Sequence, residues 1–168
     1  MNVEQLLALA IATAEDGMRA GELPIGAIVV LGNEVIARAY TQERTRNSRL
    51  VHAELLALTE ADRVLGLRRP SAVLRLATTL EPCLMCLGAA MSLGVAEVCY
   101  GLESPGDGAA HLAQTWRSAN ADLPWYRLPT LTGGIRRSEC RDQFRRYCAT
   151  APESGMLRWA TNLADLPD

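Results

Sequence analysis

Two short stretches hold residues whose types and spacing fit metal chemistry: Glu81-Pro82-Cys83-Leu84-Met85-Cys86, and upstream of it His52-Ala53-Glu54. Proline is favoured at a helix's first turn, where its missing N–H costs nothing, and Pro82 stands directly before Cys83. The spacing therefore predicts that Cys83 and Cys86 sit one turn apart at the start of a helix, facing the same way. The partial positive charge of a helix N-terminus lowers thiol pKa values, so both sulfurs are ready to act as thiolates. His52 adds a nitrogen to the two sulfurs, a donor set that suits zinc. Three protein ligands leave the fourth tetrahedral position to water, as in catalytic zinc sites. Glu54, two residues beyond the histidine, is then free to move protons between that water and a substrate.

Each half alone is weak. A lone CxxC is often redox-active or simply buried, and a lone HxE usually carries nothing. The joint pattern is specific because a strand-like run, Ala72 to Leu80, precedes Pro82, and helical sequence follows each half. The competing assignment is a closed structural zinc site. It needs a fourth ligand from Cys99, Cys140, Cys148 or His111, none of which stands at close motif spacing.

The chain of 168 residues is long enough for one domain with a substantial core. Its 49 % hydrophobic and 21 % charged composition is that of a globular protein, and no run reaches the length of a membrane span. No basic segment precedes the first apolar stretch, which argues against a signal peptide. Five cysteines, two of them assigned to metal, fit a reducing cytoplasm better than a disulfide scaffold. A net charge of −2 gives no global attraction to nucleic acid. The charge is unevenly spread: residues 44–75 carry seven arginines against three acids, and residues 127–148 six against two.

The elements that must position these residues follow in order. Asn2 caps a helix over Val3 to Ala20 that Gly21 stops. Ile25 to Leu31 is apolar throughout and reads as a strand buried on both faces. A Gly32-Asn33 turn leads to its hairpin partner, Glu34 to Thr41. Gln42 to Arg49 is a polar loop that delivers the chain to His52. Val51 to Leu65 is helical, Ala72 to Thr79 a strand, and Cys83 to Leu93 a helix that Gly88, Ala89 and Ala90 make thin enough to approach the sheet. Val95 to Tyr100 is a further strand, with Cys99 in the core. Gly101 to His111 is a loop. Trp116, Trp125 and Tyr126 fall in a loop-rich region, where they either wall a pocket or pack on the core. Arg127 to Leu131 is a fifth strand, and Ser138 caps a helix ending at Cys148. Residues 149–168 form an amphipathic tail with Met156, Leu157, Trp159 and Leu163, which either folds back or packs on a second subunit. The expected architecture is α/β, a three-layer α/β/α domain over 1–148 with a mixed sheet, in which helix N-termini meet ligands beyond strand ends.

Gly21-Glu22-Leu23-Pro24-Ile25-Gly26-Ala27, His52-Ala53-Glu54 and Thr79 to Cys86 together resemble the zinc enzymes of the cytidine/deoxycytidylate deaminase fold, in the TadA-like branch of tRNA adenosine deaminases and guanine deaminases. The likeness runs from about Glu15 to Cys148, with Gly101 to Ala110 a weaker match. It implies a five-stranded sheet, one zinc on His52, Cys83 and Cys86, Glu54 as proton shuttle, and a homodimer. It also implies substrate contacts from Ile25, Thr41 and Ala53. The reaction implied is hydrolytic: water activated at zinc replaces an exocyclic ring amine by a carbonyl, and ammonia leaves.

Three departures from the branch bear on substrate. Enzymes of this kind place an asparagine eleven residues before the zinc histidine, where this chain has Thr41. tRNA editors follow the glycine matching Gly101 with Ala-Arg-Asp, where this chain has Leu102-Glu103-Ser104. They also end in a basic helix, where the last twenty residues here carry three acids and one arginine. The leading expectation is therefore deamination of a free base, nucleoside or related small aminoheterocycle. The second is deamination of adenosine-34 in tRNA, with Arg44–Arg49 and Arg136–Arg146 holding phosphates. The third is a non-catalytic, zinc-stabilised binding protein.

Overall fold

The Asn2 side chain accepts a hydrogen bond from Gln5 N, and the Gln5 side chain accepts one from Asn2 N, each at 2.9 Å. This capping box starts α1, Val3–Arg19. Gly21, at φ 82°, turns the chain out of it. In this computed structural model, which describes residues 1–67, 70–117 and 127–168, α1 is followed by β1 (Gly26–Leu31), β2 (Glu34–Tyr40), α2 (Ala53–Leu65), β3 (Leu74–Leu80) and α3 (Leu84–Leu93). Then come β4 (Glu97–Leu102), α4 (Ala110–Thr115), β5 (Thr130–Thr132), α5 (Arg137–Cys148) and α6 (Gly155–Ala164).

The sheet runs β2-β1-β3-β4-β5. β1 pairs antiparallel with both β2 and β3, aligning Ala27 with Ala39 and Thr78. β3–β4 and β4–β5 are parallel, aligning Leu76 with Val98 and Val98 with Leu131. This is the expected five-stranded mixed sheet between helical layers. α1 and α5 pack together on one side and α2 and α3 on the other, with α6 against α5. Ile28, Val29 and Val30 are fully buried, as the continuous apolar run required.

Two contacts set the geometry near the site. The Thr79 hydroxyl accepts from Gly26 N and donates to Pro24 O, tying the start of β1 to the end of β3. Gly26 also lets α1 cross closely: a Cβ there would stand 2.4 Å from Ala10 O and Ala14 N.

The structure corrects several expectations. His52 and Cys83 are the N-cap residues of α2 and α3, one step outside the first turn. Ser138 is not a cap: α5 starts after Arg136, which takes a left-handed φ of 52°. Gly88 does not serve a close approach, since a Cβ there meets nothing within 4 Å, and fully buried Ala90 makes the core contact. Cys99 and Cys140 are core and Cys148 is half-buried. Trp125 and Tyr126 lie outside the described residues. The tail folds back as α6, whose Ala160, Leu163 and Ala164 join the core, and Trp159 meets Phe144 edge-on at 6.1 Å. No helix among the described residues is long and apolar enough to cross a membrane.

Candidate active site

Two helix starts converge beside the start of β1 and the end of β3. Neither His52 nor Cys83 uses its side chain to cap its helix, so both side chains remain free to project into the space between. His52 Nδ1 lies 3.6 Å from Cys83 Sγ and 3.7 Å from Cys86 Sγ. A shared tetrahedral zinc, with Zn–S of about 2.3 Å and Zn–N of about 2.0–2.1 Å, places nitrogen and sulfur about 3.6 Å apart. The donor set therefore fits zinc in both chemistry and spacing. Among the described residues the group of candidate ligands has three members, His52, Cys83 and Cys86. Cys99 instead donates to Leu76 O, and Cys140 packs beside Gly101. The arrangement is an open site for one zinc ion.

The two thiols are shifted in opposite directions. The hydrogen bond from Cys86 holds Cys83 well below the usual thiol range, and the same contact, with burial, pushes Cys86 up. The nearby Cys83 sulfur holds His52 up at about 9. Zinc must displace these protons as it binds.

The Glu54 carboxylate is buried, and Oε2 stands 3.8 Å from Cys86 Sγ. Desolvation pushes its pKa up to about 7. A carboxyl raised toward neutrality by burial suits proton transfer in either direction.

These groups open onto a cavity of about 340 Å³, at the small end of ligand pockets, which run to roughly 300–1,000 Å³. Ile25, Thr41 and Ala53 line it, so all three sequence-designated contact positions face the same space as His52, Glu54 and Cys83. The Thr41 hydroxyl is already engaged, 3.3 Å from Val51 O and 3.4 Å from Glu43 Oε2.

Other lining residues escaped the sequence reading. Glu43 stands with Oε1 3.9 Å from His52 Nε2, and burial raises its pKa. Asp107 enters from the loop after β4. That loop is held by buried Glu81, which accepts from Ser104 N at 2.9 Å and Ala110 N at 2.8 Å. Gly108 passes so close to Glu81 that a Cβ would stand 2.3 Å from its carboxyl carbon. The Asp-Gly-Ala-Ala run was the available signal for this loop. Met156 and Trp159 of α6 complete the wall. Trp116 instead lines an apolar recess with Leu87, Met91 and Leu112.

Residues 1–102 match the family described as the cytidine and deoxycytidylate deaminase zinc-binding region. The chain belongs to this family. It is 40 % identical over 101 residues to a tRNA-specific adenosine deaminase of Bacillus subtilis, covering 60 % of this chain and 62 % of that protein. It is also 38 % identical over 151 residues to a tRNA(Ile)-lysidine synthase of Thermus thermophilus, covering 89 % of this chain and 26 % of that protein. The chain thus spans less than two thirds of the first and about a quarter of the second. A solved structure from work on tRNA:A34 deaminases that edit the wobble position superposes with a TM-score of 0.69 at 29 % identity, covering 83 % of this chain and 98 % of that one. A guanine deaminase of Bacillus subtilis superposes with a TM-score of 0.57 at 27 % identity, covering 92 % and 98 %.

Proposed function

We propose that this protein is a zinc-dependent hydrolytic deaminase of a free nucleobase, a nucleoside or a related small aminoheterocycle. The observation that carries the reading is the make-up of the cavity wall: α6 folds back and adds Met156 and Trp159 to a lining that also holds His52 and Glu54. A flat ring can stack on an aromatic wall of this kind, whereas a base drawn out of a folded RNA loop brings flanking nucleotides to the same mouth.

Zinc held by His52, Cys83 and Cys86 would supply a Lewis acid that lowers the pKa of the attacking water. Glu54 would relay that water's two protons in turn, the first to the ring nitrogen as the oxygen adds and the second, from the resulting hydroxyl, to the departing amine. Water oxygen thereby replaces the exocyclic nitrogen, which leaves as ammonia. Positioned proton transfer of this kind contributes about 10²–10⁴-fold. Ile25, Ala53 and Thr41 shape the space around the ring.

The second reading is a tRNA adenosine deaminase, supported by the 40 % identity to the Bacillus subtilis enzyme over the first part of the chain. Arginine placement favours the first reading. Arg136 pairs with Glu139, Arg137 with Glu103, Arg141 with Asp168, Arg145 with Asp142 and Arg146 with Glu15, so these groups are engaged within the chain. We place the enzyme in the cytoplasm as a homodimer. Five free cysteines support the first point. Exposed Leu84, Leu112 and Trp116, which light scattering tests as a contact surface, support the second.

The deciding experiment measures ammonia release from pterins, purines, cytosines, triazines and their nucleosides beside inosine formation in a transcribed adenosine-34 tRNA, each at two salt concentrations. Turnover of a small ring supports the first reading. Salt-sensitive inosine formation with no small-molecule turnover replaces it by the second.

A further inference from the structure

A second recess adjoins the catalytic cavity. Glu43, Arg49 and Met156 line both, and the recess, about 480 Å³, is otherwise walled by Arg44, Asn47, Ser48, Tyr147, Pro152 and Ser154. Its character differs from that of the catalytic chamber. The chamber presents acids and aromatic or aliphatic surface. The recess presents two guanidinium groups with hydroxyl and amide side chains.

The loop that carries these arginines is fixed. Buried Glu22 accepts from Arg44 N at 3.1 Å and Thr45 N at 2.7 Å. Gln42 N bonds Val51 O, Arg46 N bonds Gln42 O, and Ser48 N bonds Glu43 O. Arg44 Nη1 donates to Gly21 O at 3.2 Å, and among the described residues the rest of its fork of donors has no side-chain partner. Among the described residues neither Arg44 nor Arg49 has a carboxylate partner, in contrast to the arginines of α5. Glu43 turns its oxygens to Thr41 and His52, on the catalytic side. A pre-set loop with two uncompensated guanidinium groups beside a ring-sized chamber matches a phosphate, which arginine binds through paired N–H donors.

We infer that the substrate is a nucleotide: its base enters the catalytic cavity and its phosphate is held in the adjoining recess by Arg44 and Arg49. This rests on the deaminase reading above and narrows its small-molecule substrate to the phosphorylated nucleoside. An RNA phosphate shares this chemistry, but the engaged arginines of α5 favour a single nucleotide.

Two measurements test it. The first is calorimetric binding of adenosine, guanosine and cytidine and their 5′-monophosphates to zinc-loaded Glu54→Ala protein. For at least one ring the monophosphate binds ten-fold or more tightly than its nucleoside, and Arg44→Gln, a change in the recess wall outside the lining of the catalytic cavity, cuts that advantage at least three-fold while nucleoside affinity stays within two-fold. Equal affinities for nucleoside and monophosphate in every pair overturn the inference. The second is turnover of the same compounds and of tRNA by wild-type protein and the Arg44→Gln variant. A three-fold or greater loss in kcat/KM confined to monophosphates supports it. A loss confined to tRNA overturns it in favour of RNA. Deamination of bases with no gain from phosphate overturns this inference alone, and absence of ammonia from every compound defeats the deaminase reading itself.

Discussion

Glu54 Oε2 stands 3.8 Å from the sulfur of Cys86. The carboxylate is thus beside the three metal ligands without completing the set. A group so placed can handle protons at the metal's edge, and its removal leaves the His52, Cys83 and Cys86 donors intact. Glu54→Ala is therefore expected to keep one zinc per chain and the wild-type circular dichroism while losing about 10²–10⁴-fold in kcat. Metal analysis beside ammonia release checks this. A variant that loses its zinc, or turns over at the wild-type rate, contradicts the role.

Thr41 is buried in the cavity wall, with its hydroxyl shared between Val51 O and Glu43. An amide there offers two donors and an acceptor where the hydroxyl offers less. Thr41→Asn should change the rank order of substrates, because a ring edge left unpaired costs about 1–3 kcal/mol. The panel of bases and nucleosides reads this directly, and an unchanged order counts against the placement.

Trp159 both walls the cavity and packs edge-on against Phe144, at 6.1 Å and 73°. Trp159→Ala should raise KM for ring substrates about ten-fold, as stacking on an aromatic ring is worth about 1–3 kcal/mol per base. It should also lower Tm, since an aromatic pair contributes about 0.5–1.5 kcal/mol beyond area burial. Trp159→Phe restores most of both. A KM unchanged in the alanine variant removes α6 from the binding wall.

Much of this site was legible because metal chemistry restricts residue type and spacing together. His52, Glu54, Cys83 and Cys86 declare themselves in sequence, and the Asn2 cap and the all-apolar β1 are equally local signals. Trp159 was not legible as a cavity wall, because its place depends on α6 folding back over α5, a contact no local pattern encodes. Glu43 and Asp107 read as ordinary loop acids. They reach the cavity only because Glu22 and Glu81, which are buried acceptors of backbone N–H groups, pin their loops. Ser138 misled because a serine near a helix start is a common cap, whereas here left-handed Arg136 begins α5 two residues earlier.

Glu15 gives the acid branch of stability a specific contributor. The Arg146 guanidinium beside it, aided by Gln143, holds its carboxyl below the ordinary carboxylate value. A carboxyl depressed in the folded state stabilises at pH above its unfolded pKa, and that contribution is lost as pH falls through the folded value. Arg146→Met should therefore lower stability at pH 7 by about 0.2–1 kcal/mol, the range of a surface pair. The difference from wild type should close as the pH drops below about 4, near the ordinary carboxylate range. Thermal melts from pH 7 to pH 3 check this. A constant difference across that range contradicts the pairing.

Under the proposed function, deamination depends on one zinc held by His52, Cys83 and Cys86. Ammonia release by metal-stripped protein refilled stepwise with zinc, using the best substrate found in the panel, tests this dependence. Activity is expected to rise linearly and break at one equivalent per chain, with no such rise in Cys86→Ala. Activity independent of added zinc, or a wild-type response from Cys86→Ala, would contradict it.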